Sequence, residues 1–401
     1  MPGESPLGMM RPAVRQAGKP GAAGARRRWQ PFLALVAIVV VLAVAWVWLW
    51  YSAAAVAGRT LAGWVDREAT AGRVYSCGSQ SVGGFPLRIA ARCADAAAEV
   101  KSNQRSYAIR AKSVVFAAEL YHPTSLIGDI SGPLTLAEPG QPPSLVADWT
   151  QARVSVSGRP PNPEGVSASL AAAHLDRVGT GSNGETVFAA KQANLRGRIA
   201  AGTPNDHPVI EATLTLTDAI APTLHPLFAQ PVGVELDAVL RGFKDLSPKS
   251  WADRFREMQA ADGGVEIRSL RFRQGDAMVV GVGTLSINAR GKLDGVIRVA
   301  IVGIERIVPL LGIDRLIGQG LDRLAGSDRN APQGLGALDR LVPGLGDAVR
   351  ETANSSLIEN LKKMGQPATI DNQPAIVLPL RFADGSIYLG MLPLGEAPPL
   401  F

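Results

Sequence analysis

Between Phe32 and Tyr51 twenty residues run without a single charge, FLALVAIVVVLAVAWVWLWY. A helix rises about 1.5 Å per residue, so this run spans roughly 30 Å, the thickness of a bilayer's hydrocarbon. Arg26, Arg27 and Arg28 stand directly before it, and Trp46, Trp48, Trp50 and Tyr51 crowd its far end. Basic residues stay on the cytoplasmic side, and amphipathic aromatics settle at headgroup level. The expectation is a single pass through a cell inner membrane, with the N-terminus cytoplasmic and the bulk periplasmic. A cleaved signal peptide competes, since Ala53-Ala54-Ala55 offers a cleavage site. Its apolar core would be only about 7–15 residues. The greater length and the tryptophans favour a retained anchor.

Charge supports the same reading. The chain carries 41 Lys and Arg against 35 Asp and Glu, a net of +6. Residues 1–28 hold six of the basic groups and one acid, Glu4, which leaves the rest of the chain at +1. The excess sits where topology or anionic headgroups use it. A nucleic-acid face needs a basic cluster in the folded part, and the sequence shows none, so nucleic acid is not an expected partner.

Four segments follow. Residues 1–28, rich in Gly, Pro, Ala and Arg, read as a disordered basic tail. Residues 29–51 are the transmembrane helix. Residues 52–72, with Val56, Leu61, Trp64, Val65 and Glu68 at helical spacing, continue it as a stalk. Residues 73–401 form a β-rich domain, with a subdivision near 230–248 left open. Its signal is period two: Phe85, Leu87, Ile89, Ala91 and Cys93 alternate with Arg88 and Arg92, and Ile210, Ala212, Leu214 and Leu216 alternate with Glu211, Thr213, Thr215 and Thr217. Ala152–Ser157 and Leu293–Ile301 repeat the pattern. Each reads as a strand with one buried and one wet face, the mark of antiparallel sheet. Helices are expected over 248–261, with Trp251, Phe255 and Met258 on one stripe, and over 304–324 and 345–364. Asp384-Gly385 between alternating runs marks a closing hairpin.

Catalytic chemistry finds little support. Gly179-Thr-Gly181-Ser-Asn-Gly184 matches a dinucleotide fingerprint, but Glu185-Thr-Val-Phe after it reads as a strand, so a hairpin loop is expected. His122, His174, His207 and His225 are isolated, and three of them precede proline. Neither HExxH, CxxC nor G-x-S-x-G occurs. No cofactor, metal or enzymatic activity is expected. Cys77 and Cys93 form a close pair that reads as a disulfide in an oxidising compartment, with two buried thiols as the alternative. The stripe Ile304, Ile307, Val308, Leu311, Leu316 and Ile317 is either core packing or a lipid- or partner-facing surface.

One stretch carries a resemblance. Tyr75-Ser-Cys77-Gly-Ser-Gln-Ser-Val-Gly83-Gly84-Phe85-Pro86-Leu87-Arg88-Ile89, followed by Cys93, resembles the opening of the bacterial domain of unknown function 2125 family. There a Gly-Phe-Pro-hydrophobic-Arg core lies between two cysteines just outside a membrane anchor. Trp251–Ile267, Gly283-Thr-Leu-Ser-Ile and Phe382–Gly390 extend the likeness over most of 45–395, while Leu87 stands where a second aromatic is expected. The resemblance implies topology and extent but no activity. Gly84, Phe85, Pro86 and Arg88 are read as structural: a tight turn, a core anchor, an edge-strand proline and an outward charge.

The fold expected is mainly β (α+β): one transmembrane helix, then a long, curved, antiparallel β-rich body with a few amphipathic helices. At fold level it is similar to the lipid-holding β-grooves of AsmA-like envelope proteins. The functional expectation is non-enzymatic lipid contact or envelope maintenance, with membrane lipids as partners. The alternative is a membrane-tethered scaffold that binds other envelope proteins.

Overall fold

The apolar run lies inside one helix, α1 (Gly24–Thr70), in a computed structural model that describes residues 24–401 except 71, 102–105, 160–161, 180–181, 248 and 311–344. The tail 1–23, the loop residues Thr180 and Gly181, and the stretch 311–344, which includes most of the helix expected over 304–324, lie outside the described residues. Two units divide at Val56/Ala57. In the first, the α1 side chains from Phe32 to Leu49 are all exposed. From Phe32 onward the helix is long and apolar enough to be a candidate single membrane span.

The second unit holds the sheet. Its strands are β1 (Arg73–Ser76), β2 (Ser79–Gly83), β3 (Arg88–Lys101), β4 (Ser106–Glu119), β5 (His122–Ala137), β6 (Leu145–Asp148), β7 (Gln151–Arg159), β8 (Asn162–Gly179), β9 (Ser182–Thr203) and β10 (Asp206–Ala219). A 3-10 turn at Pro226–Ala229 precedes β11 (Val232–Arg241), α2 (Trp251–Ala260), β12 (Gly264–Gln274), β13 (Ala277–Ile287), β14 (Leu293–Val302) and α3 (Ile304–Leu310). Then come α4 (Leu345–Met364), β15 (Gln366–Ile370), β16 (Gln373–Ala383), β17 (Ser386–Leu389) and β18 (Leu392–Glu396).

Every pairing is antiparallel. Twelve strands form one unbroken ladder in the order β3-β4-β5-β7-β8-β9-β10-β11-β12-β13-β14-β16. β1 and β2 both pair with β3, β6 pairs with β5 and β8, and β15 and β17 both pair with β16. The expected mainly-β antiparallel fold is thus observed. The 179–184 segment joins β8 to β9, where Gly179 pairs with Ser182, so it is a hairpin loop. Asp384 and Gly385 have φ of 52° and 81°, the left-handed pair that a two-residue hairpin turn needs.

Two details differ from the sequence reading. The strand expected from Phe85 begins at Arg88, because Phe85–Leu87 form a turn. Pro86 brings no N–H to a ladder there, and Gly84 turns at φ 104°. On α2, Met258 is buried but Trp251 is 77% exposed, stacked on Phe255 with centroids 6.1 Å apart. Ser250 caps that helix, accepting from Asp253 N at 3.1 Å. Of the helix expected over 304–324, Ile304–Leu310 is helical, and 311–324 lie outside the described residues.

The main core lies where α3 and α4 cover β12–β16. Ile304, Ile307 and Val308 of α3 and Leu361 of α4 pack with Ile267, Ile297, Val299, Ile301 and Leu378. The first three residues of the 304–317 stripe therefore belong to the core. Leu361 is 0% exposed, so truncation leaves a cavity that the surrounding strands fill poorly. Leu361→Ala is expected to lower unfolding stability by about 2–5 kcal/mol, read as a shift in denaturant midpoint.

Candidate functional site: an apolar sheet face

Residues directly opposite in an antiparallel ladder point to the same side, so the register shows what each face carries. From β3 to β16 the central row reads Ala91, Phe116, Gly128, Val154, Ala168, Leu195, Leu214, Leu236, Leu270, Gly281, Val299 and Leu378. The row on one side reads Cys93, Val114, Ile130, Ala152, Leu170, Ala193, Leu216, Val234, Phe272, Val279, Ile301 and Ile376. The row on the other reads Ile89, Ala118, Leu126, Val156, Val166, Gly197, Ala212, Ala238, Ile267, Gly283, Ile297 and Leu380. Every position is apolar or glycine. Twelve strands at about 4.8 Å spacing make this floor roughly 50 Å long.

The opposite face is polar over most of that length. Its matching row runs Arg92, Val115, Asp129, Arg153, Ser169, Asn194, Thr215, Glu235 and Arg271 from β3 to β12. Arg153 donates to Asp129 at 2.8 Å, and Glu211 accepts from Arg268 at 2.8 Å and pairs with Arg198.

Cover over the apolar floor is uneven. From β10 onward it is roofed: Phe228 of the 3-10 turn meets Phe272 and joins Leu216 and Val234 around Ala219 and Val232, and α3 and α4 follow. Between β4 and β9 Phe116, Leu126, Val166 and Leu195 remain 42–47% exposed. At the β3 end, Leu61, Trp64 and Val65 of α1 stand over Ala91, Cys93, Val114, Phe116 and Ile130, enclosing a cleft of about 570 Å³. Trp64 lies against Tyr75 with centroids 4.9 Å apart, and Arg73 pairs with Glu68, fixing the end of α1 on the sheet. Asp66, Ser76, Gln80 and Arg92 supply the polar part of the cleft's lining.

The residues singled out from the sequence sit at this end. Cys77 and Cys93 are at disulfide distance, with Cα atoms 5.4 Å apart, and both line the cleft. The bond ties the β1–β2 link to β3. Gly84, Phe85, Pro86 and Arg88 form the β2–β3 turn, where Arg88 N donates to Gly84 O at 3.1 Å and Leu120 N to Leu87 O at 2.9 Å. Phe85, expected as a core anchor, is 51% exposed, because the turn carries it beyond the last β2 pairing, Gly83 with Ala90. Among the described residues no cluster of three His, Cys, Asp or Glu is arranged to hold a metal. Sequence reasoning missed the floor itself. Its signal was present as alternation in β3, β7 and β10, but the Ala- and Gly-rich positions of β8 blur it.

The family model for uncharacterised proteins conserved in bacteria, DUF2125, matches residues 50–398. The chain belongs to this family. No curated protein matches it. The match takes in the whole apolar floor, the cleft and the Cys77–Cys93 segment, and begins at Trp50, near the end of the apolar run.

Two expectations follow. A Cβ at Gly84 would lie 2.7 Å from Arg88 O at a positive φ, whereas one at Gly83 meets nothing within 4 Å. Gly84→Ala is expected to cost about 1–3 kcal/mol by denaturant unfolding, with Gly83→Ala nearly neutral as the control. The hydrogen bond from Arg268, with the charge of Arg198 adding, holds the Glu211 carboxyl below its usual 4.5. A carboxyl lowered on folding stabilises above its unfolded value, and that contribution is lost as pH falls through the folded value. Glu211→Gln should therefore flatten the fall of melting temperature below about pH 4.5.

Proposed function

We propose that this chain is a non-enzymatic, membrane-anchored envelope protein whose sheet shelters the acyl chains of membrane lipid. The observation that supports this most is the exposed stretch of the apolar floor between β4 and β9. Soluble surfaces rarely leave so long an apolar band wet, and such bands mark ligand or membrane contacts. Every methylene that moves from water onto the floor contributes about 0.8 kcal/mol, and no charged position interrupts the three rows. The polar face keeps the other side of the sheet in water.

The anchor supports the compartment. Three arginines before the apolar run and the aromatics at its end favour an inner membrane with the N-terminus cytoplasmic and the sheet periplasmic. A Cys77–Cys93 bond suits an oxidising space. Lipid is then the apolar ligand at highest local concentration.

The test is photocrosslinking of the full chain in bacterial membranes containing labelled phospholipid. A photoactivatable residue at Val166 or Leu195, on the floor, is expected to give lipid adducts. The same residue at Ser167 or Arg196, their neighbours on the polar face, is expected to give none. Equal labelling on both faces, or none on either, overturns the reading. Adducts of protein mass at Val166 and Leu195 without lipid would replace it with the tethered-scaffold alternative.

A further inference from the structure

The apolar floor continues under its cover, which deepens from β10 towards β14 and β16. On one side Val166 and Leu195 are 47% exposed; on the other Val299 is 4% and Leu378 1% exposed, in one continuous packed core. The boundary is built. Phe228 stands edge-on to Phe272 with centroids 6.1 Å apart. Three polar contacts pin its turn: Gln274 Nε2 donates to Leu227 O at 2.7 Å, His225 Nδ1 accepts from Leu227 N at 3.1 Å, and Ala221 N donates to Phe228 O at 2.8 Å. At the other end the α1 side chains Leu61, Trp64 and Val65 stand over β3 and β4.

From these bounds we infer that the floor is a holding site closed at its far end, and not a path along which lipid passes the length of the sheet. This rests on the lipid reading above and narrows it. The stretch from β3 to β9 is five strand spacings, about 24 Å. The acyl chains of one leaflet reach about 15 Å, half the bilayer core, so the stretch takes the chains of a lipid lengthwise with its headgroup in water. Beyond Phe228 a chain gains little: Ile267, Ile297, Val299 and Leu378 are already buried under α3 and α4, and entry would trade one set of apolar contacts for another while displacing a helix.

Labelled-lipid photocrosslinking along the central row of the full chain tests this. Adducts at Leu195 are expected to fall at least tenfold at Leu236 and Leu270. Because substitution at those packed positions can unfold the chain, hydrogen–deuterium exchange of the unaltered chain in detergent, with and without added phosphatidylglycerol, gives a second reading. Lipid-dependent protection is expected in β4–β9 and none in β11–β14. Comparable labelling at Leu195, Leu236 and Leu270, or protection extending through β11–β14, overturns the closed site while leaving lipid binding intact. Absence of both labelling and protection everywhere overturns the lipid reading as well.

Discussion

Everything in the second unit depends on register. Side chains alternate with a period of two, so a slip of one residue would turn a whole strand's apolar set to the wet face. Along twelve strands no such slip accumulates. Where the pattern of apolar residues breaks, the backbone absorbs the error. In β12, Ile267 and Leu270 are three apart and would lie on opposite faces of a regular strand. An irregularity at Arg268 and Ser269 appears against both neighbours, and both residues stay on the floor, opposite Gly283 and Gly281.

A face kept apolar over that length must be covered or used. The two halves of the sheet resolve this differently. In the C-terminal half, α3 and α4 cover the rows, bring Ile297, Val299, Ile301 and Leu378 to 1–4% exposure and form the main core. In the N-terminal half the same kinds of residues stay wet between β4 and β9. Stability is thus concentrated at one end, which leaves the other free to present an apolar surface without endangering the fold. The Cys77–Cys93 link and the Glu68–Arg73 pair tie down the edge where no helical core does so.

Much of the secondary structure was legible. Strands at 152–156, 210–216 and 293–301, the α2 helix, the helix at 345–364 and the Asp384-Gly385 turn follow from alternation, capping and turn chemistry. These are local effects, settled by a handful of neighbouring residues. The β2–β3 turn was less legible. Phe85 and Leu87 continue the alternation of Ile89 and Ala91, so period alone extends the strand, while Pro86 and the positive φ of Gly84 stop it. Trp251 misled in the same way: it shares a helical stripe with Met258, but nothing local reveals that Met258 is buried while Trp251 stays exposed.

The sequence by itself determined the candidate membrane span, the mainly antiparallel β body and the family, because each is written in composition or short-range spacing. Tertiary structure alone decided that thirty-six positions from twelve strands share one face, which of them α3, α4 and Phe228 cover, and which stay open. Those outcomes rest on pairings between residues up to 87 positions apart, Gly295 with Phe382, and on packing of helices that carry no local mark of what they cover. A strand's alternation says that it has an apolar side; only its neighbours say what that side meets.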